Sequence, residues 1–98
     1  MSNNVFIMKN LTKDRENQIR ISGDLILNGR ETQVTVEVSE SKPGSTQPKI
    51  KYPIEIPPLG PGDLKWILPP ERSPIYEETK SRVQLMGFQI IAHEDYRP

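Results

Sequence analysis

The Asn28-Gly29 pair is the feature that most constrains the fold of this chain. Both central positions of a type I′ hairpin turn need positive φ, which Asn and Gly tolerate better than other residues. Alternating apolar and polar residues flank the pair on both sides. The sequence therefore predicts a β-hairpin with strands over residues 18–27 and 30–39.

The same alternation fixes how the two strands are paired. When Leu27 is set opposite Arg30, one face of the hairpin is mainly apolar and the other is mainly polar. The apolar face then pairs Ile19 with Val38, Ile21 with Val36 and Gly23 with Val34, while the polar face pairs Arg20 with Glu37 and Ser22 with Thr35. A shift of one residue would destroy both patterns, so we expect this register.

Three further segments have the pattern of strands. Residues 5–9 are a short, largely apolar run, and the polar residues 10–17 that follow are predicted as a loop. Residues 49–56 alternate apolar and polar side chains, and Pro53 indicates an edge position because it lacks an N–H. Residues 88–92 give a final strand.

A single helix is predicted over about residues 74–86. Ser73 and Pro74 fit an N-cap followed by proline in the first turn, and Gly87 fits the position just after the helix. Apolar or small residues recur at helical spacing and define one face: Ile75, Thr79, Val83 and Met86.

We expect one small α+β domain over residues 1–98, since a chain of this length supports one modest core. The predicted architecture is a mostly antiparallel sheet of four to five strands packed on the helix. A small open β-barrel with a capping helix is the alternative. Residues 40–48 are predicted as a flexible loop, and residues 57–74 as a proline-rich connector with one helical turn over 63–68.

The inventory of reactive residues argues against an enzyme. The chain has no cysteine and one histidine, His93, which lies in the polar segment His93-Glu94-Asp95. Consecutive residues of a strand point to opposite faces, so these three groups do not converge as metal ligands or as an acid–base pair. We therefore expect no catalytic residues, no metal site and no cofactor.

The sequence has no feature of a targeting signal or a membrane helix. The first apolar run is too short for a signal peptide, and no stretch approaches the roughly 20 apolar residues that a bilayer-spanning helix needs. A cytoplasmic protein that does not bind membranes is the expectation.

A non-enzymatic protein–protein interaction module is the predicted function. It would be a small accessory, regulatory or inhibitor protein of the kind that bacteria and phages encode. The connector concentrates the candidate partner-binding residues, which are Leu59, Lys65, Trp66, Ile67 and Leu68. If exposed, Trp66 and its neighbours are typical hot-spot residues; if buried, they cap the core. The partner is another protein or a second copy of this chain, which would form a homodimer through a sheet edge at residues 5–9 or 49–52.

A β-rich nucleic-acid-binding protein is the alternative function. Lys49, Lys51 and Tyr52 lie together on the predicted edge strand, and single-strand binders combine cations with aromatic side chains. The balance of 13 basic and 13 acidic residues ranks this alternative second, because nucleic-acid binders usually carry a basic surface.

Overall fold

The structure is a computed structural model that describes residues 4–16, 18–39, 49–54, 56, 59 and 62–96. The predicted flexible loop at 40–48 lies outside the described residues. The elements in chain order are β1 (Val5–Lys13), β2 (Ile19–Leu27), β3 (Arg30–Ser39), β4 (Lys49–Lys51), β5 (Lys65–Ile67), α1 (Tyr76–Leu85), β6 (Gln89–Ile91) and a short 3₁₀ turn, His93–Asp95. The α+β class is confirmed.

The six described strands form one curled sheet in the order β4-β3-β2-β1-β5-β6. The pairs β4–β3, β3–β2 and β2–β1 are antiparallel, whereas β5 is parallel to both β1 and β6. The sheet is therefore mixed and has more strands than the predicted four to five. Its half-barrel curl is consistent with the open-barrel alternative.

The β2–β3 hairpin has the predicted register. Ile19 lies opposite Val38 and Leu27 lies opposite Arg30. Asn28 and Gly29 have φ values of 51° and 82°, as a type I′ turn requires.

Strand β1 continues beyond the predicted residues 5–9, and the loop predicted from residue 10 begins four residues later. The pairing with β2 shifts between Met8 and Asn10, so Lys9 is the extra residue of a β-bulge. The bulge reverses the alternation, which places Phe6 and Met8 before it, and Leu11 after it, on the same face of the sheet.

The helical turn predicted over residues 63–68 is wrong, because Lys65–Ile67 is strand β5. Phe6 pairs with Trp66 in β5, and Trp66 pairs with Ile90 in β6. The backbone groups of this three-residue segment are satisfied by two neighbouring strands rather than by a local helix.

Strand β4 ends at Lys51, so the predicted strand over 49–56 is too long. Pro53 cannot donate to a ladder, and its carbonyl instead accepts the N–H of Ile56 at 3.0 Å. The chain turns here and leaves Ile54 95% exposed.

Helix α1 begins two residues later than predicted. The Ser73 hydroxyl accepts the N–H of Ile75 at 3.3 Å, and the Ser73 carbonyl accepts the N–H of Tyr76 at 3.1 Å, which forms a turn before the helix. Gly87 has φ 76° and follows the helix as predicted. Thr79 and Val83 are fully buried on the predicted face.

The hydrophobic core lies between the concave face of the sheet, α1 and the connector. Trp66 is at its centre, with its ring edge-on to Phe6 at 4.9 Å and stacked on Phe88 at 5.1 Å between ring centroids. The buried cluster consists of Phe6, Met8, Ile19, Ile21, Leu25, Val36, Val38, Leu64, Trp66, Leu68 and Val83.

Candidate partner-binding surface

The connector residues predicted to bind a partner are mostly buried. Trp66 is 0% exposed, Ile67 is also fully buried and Leu68 nearly so, while Leu59 packs partly buried against the core. Lys65 is the exposed member of the set. A partner-binding role for the four apolar residues stays a prediction, and it would require the core to open.

The lysines of the nucleic-acid alternative lie on an edge strand, as predicted. Lys51 is exposed and pairs in register with Glu37, which places an acidic residue beside it. Tyr52 is partly buried against the core, and among the described residues its buried hydroxyl has no hydrogen-bond partner. A nucleic-acid role for Lys49, Lys51 and Tyr52 stays a prediction.

The outer face of the sheet, away from α1, is polar over β3 and over β2 as far as Asp24. Arg20 lies between Asp14 and Glu37, at 3.5 Å from a carboxylate oxygen of each. The remaining outer positions of β3 are also polar or charged: Glu31, Gln33 and Thr35. This half has the composition expected of a sheet face in water.

The same outer face is aliphatic where β1, β5, β6 and the end of β2 form it. Register places five β-branched side chains in adjacent outer positions, which we call the outer aliphatic patch: Val5, Ile7, Ile26, Ile67 and Ile91. Ile67 and Val5 are buried, at 1% and 7% exposure, and the other three are partly exposed. None of these five described residues belongs to the core cluster. The patch is therefore a second apolar group, on the side of the sheet away from α1.

The two edges of the sheet differ in how they are protected. At one edge, β4 carries Lys49 and Lys51 and is followed by Pro53, which are common devices against pairing with another chain. At the other edge, β6 has the sequence Gln89-Ile90-Ile91, with no charge and no proline. The outer aliphatic patch extends onto this unprotected edge through Ile91.

In the backbone of β6, the N–H and C=O groups of one residue point away from the rest of the sheet. The Ile91 carbonyl accepts the N–H of Leu68 at 2.9 Å, so the polar groups of Ile91 point towards β5. Because these groups alternate in direction along a strand, the N–H and C=O of Ile90 point to the opposite side. In the described part of the chain no strand pairs with β6 on that side.

A polar depression of about 430 Å³ lies on the outer face beside the bulge. Lys9 bridges to Asp24 at 2.7 Å, and hydroxyl and amide groups of Ser22, Thr35 and Gln33 line the rest. The hydrogen bond and the negative charge of Asp24 raise the pKa of Lys9 above its usual 10.5. Its main role is to pair the carboxylate of Asp24, whose residue is 8% exposed.

His93 lines a second surface depression, of about 440 Å³, with Pro70, Glu71, Arg72 and Glu94. Within the described residues no three His, Asp or Glu side chains converge as a metal site needs. In the same part of the chain no helix has the length and apolar character to cross a membrane.

Sequence reasoning missed the residues of the β6 edge and of the outer aliphatic patch. It placed the candidate edges at residues 5–9 and 49–52, but β1 is an interior strand between β2 and β5. Two features of the sequence point to these residues. Val5 and Ile7 give the first strand a second apolar face, and the segment 89–91 is uncharged. Comparison with family models, curated proteins and solved structures found no match for this chain.

Proposed function

We propose that this protein is a non-enzymatic protein–protein interaction module, and that it binds an extended segment of a partner along the β6 edge. The observation that carries the proposal is the outer aliphatic patch running onto an edge strand without charge or proline. Strand addition at such an edge supplies main-chain hydrogen bonds, and the adjacent side chains supply apolar contacts.

The contrast within one face supports this proposal. Sheet faces in water are usually polar, as the outer face of β3 is here. The partly exposed members of the patch, Ile7, Ile26 and Ile91, instead form an apolar surface with a polar border, which is typical of a binding site. Lys65 and Gln89 are exposed and border the patch on its own strands. They give the polar rim that surrounds the apolar centre of many interfaces.

Photo-cross-linking in the native cells tests the proposal. A photoreactive side chain at Gln89 is compared with the same group at Thr35, which is also an exposed outer-face strand position but lies in the polar half. We expect defined protein adducts from position 89 and none above background from position 35. Equal labelling from the two positions, or adducts that disappear on nuclease treatment, would contradict the proposal.

An edge variant gives a second, independent test. Ile91→Lys places a charge where a bound strand would lie, so we expect the position 89 adducts to be lost. Thr35→Lys is the matched control, since it adds the same charge to the same face away from the β6 edge. Adducts that survive Ile91→Lys would show that the partner binds elsewhere.

A further inference from the structure

We propose that the partner strand at this edge is β6 of a second copy of the same chain, paired antiparallel about a two-fold axis beside Ile90. This inference rests on the proposed function, because it names the partner of the same edge. An interface of this kind presents the same surface on both subunits, so its residues must be self-complementary.

The backbone of the β6 region is self-complementary about Ile90. The N–H and C=O of Ile90 point away from β5, so two copies can exchange both hydrogen bonds between their Ile90 residues. Ala92 is still extended, with φ −64° and ψ 150°, and its N–H can reach the carbonyl of the partner's Phe88. The Ala92 carbonyl accepts the N–H of Asp95 at 3.0 Å, which ends the edge at this residue.

The side chains are also compatible with self-pairing. With Ile90 opposite the partner's Ile90, Gln89 lies opposite the partner's Ile91 on the outer face. No like charges meet, and the outer aliphatic patches of the two copies become neighbours. By contrast, antiparallel self-pairing of Lys49-Ile50-Lys51 about Ile50 would set Lys49 opposite the partner's Lys51.

The overall charge allows association. The formal net charge is zero at pH 7, so two copies do not repel each other. The pairing covers only residues 88–92, which is less than permanent dimers usually bury, and we therefore expect a dimer that dissociates on dilution.

Cysteine cross-linking tests the register directly, because the chain has no cysteine of its own. Residues 89 and the partner's 91 would form a non-hydrogen-bonded pair with Cα atoms ~4.5 Å apart, within reach of a disulfide. Gln89→Cys and Ile91→Cys are mixed and oxidised, with Gln89→Cys and Thr35→Cys as the control mixture. In the test mixture we expect more disulfide dimers that link position 89 to position 91 than dimers that link 89 to 89 or 91 to 91. In the control mixture we expect no such excess of mixed dimers.

Sedimentation analysis tests the equilibrium without a cross-link. Over ~10 µM to ~1 mM protein, we expect the wild type and Thr35→Lys to move from monomer towards dimer, and Gln89→Lys to stay monomeric. A wild-type monomer at every concentration, a dimer that Gln89→Lys leaves intact, or a random distribution of disulfides would overturn the inference. If the photoreactive group at position 89 labelled a different protein, the proposed function would stand although the homodimer did not form. Failure of the homodimer can therefore be told from failure of the proposed function.

Discussion

The carbonyl group of Ile7 occupies the space where a side chain at Gly23 would begin. A Cβ atom built on Gly23 would lie 2.9 Å from the Ile7 carbonyl carbon, closer still to its oxygen, and 3.1 Å from the Phe6 ring. Gly23 pairs with Met8, and the bulge begins at the next residue of β1, Lys9. The glycine therefore permits the close approach of β1 and β2 next to the bulge.

Gly23→Ala is expected to destabilise the fold by about 1–3 kcal/mol, because the obstructing atoms are backbone and cannot rotate away. Gly62→Ala is the matched control, since a Cβ there meets no atom of the described residues within 4 Å. We expect its effect to stay within about 0.5 kcal/mol. Urea unfolding of both variants measures the difference, and equal midpoints would show that β1 shifts without cost.

The hairpin turn makes a separate demand on Gly29, whose φ is 82°. Gly29→Ala adds a Cβ with no described atom within 4 Å, so its cost is conformational. We expect a loss of about 1–2 kcal/mol in the free energy of unfolding, as for an L residue forced into the left-handed region. Thermal unfolding followed by circular dichroism measures it, and a midpoint equal to the wild type would contradict a type I′ turn.

The parts of the fold predictable from sequence are those set by neighbours in the chain. The Asn28-Gly29 turn fixed one strand opposite the other, and Gly87 marked the end of the helix. The Lys9 bulge interrupts the alternation of β1, so the pattern predicts that the strand ends at a residue where its side chains only change faces. Lys65–Ile67 is too short to show a period, and its pairing with β1 joins residues sixty apart. The candidate surface depends on that pairing, which is why sequence reasoning missed it.

Substitution of Trp66 distinguishes a structural role of this residue from a partner-binding role. Its side chain is fully buried between Phe6 and Phe88, so Trp66→Ala is expected to cost ~3–5 kcal/mol. That is a large part of the stability of a small domain. Trp66→Phe should cost less, because the Trp66 Nε1 atom has no hydrogen-bond partner among the described residues. Guanidinium unfolding measures both; a stable, folded Trp66→Ala variant with reduced partner binding would instead favour the direct contact predicted from the sequence.

Tyr52 predicts a loss of stability at alkaline pH. Burial, with a smaller contribution from the negative charge of Asp63, raises the pKa of Tyr52 from 10.0 to about 12. As the pH rises, the unfolded chain therefore loses the Tyr52 proton before the folded chain does. The contribution of this group to the free energy of unfolding is fully present below pH 10 and is lost as the pH rises through about 12. Tyr52→Phe also removes a buried hydroxyl that has no hydrogen-bond partner in the described part of the chain, so we expect its stability near neutral pH to equal or exceed that of the wild type.

Two measurements check this prediction together. The absorbance of tyrosinate should show one group titrating near pH 12 in the folded wild type and absent from Tyr52→Phe. Denaturant midpoints between pH 9 and pH 12 should fall less steeply in Tyr52→Phe than in the wild type. Parallel curves for the two proteins would mean that Tyr52 ionises as freely in the folded chain as in the unfolded one.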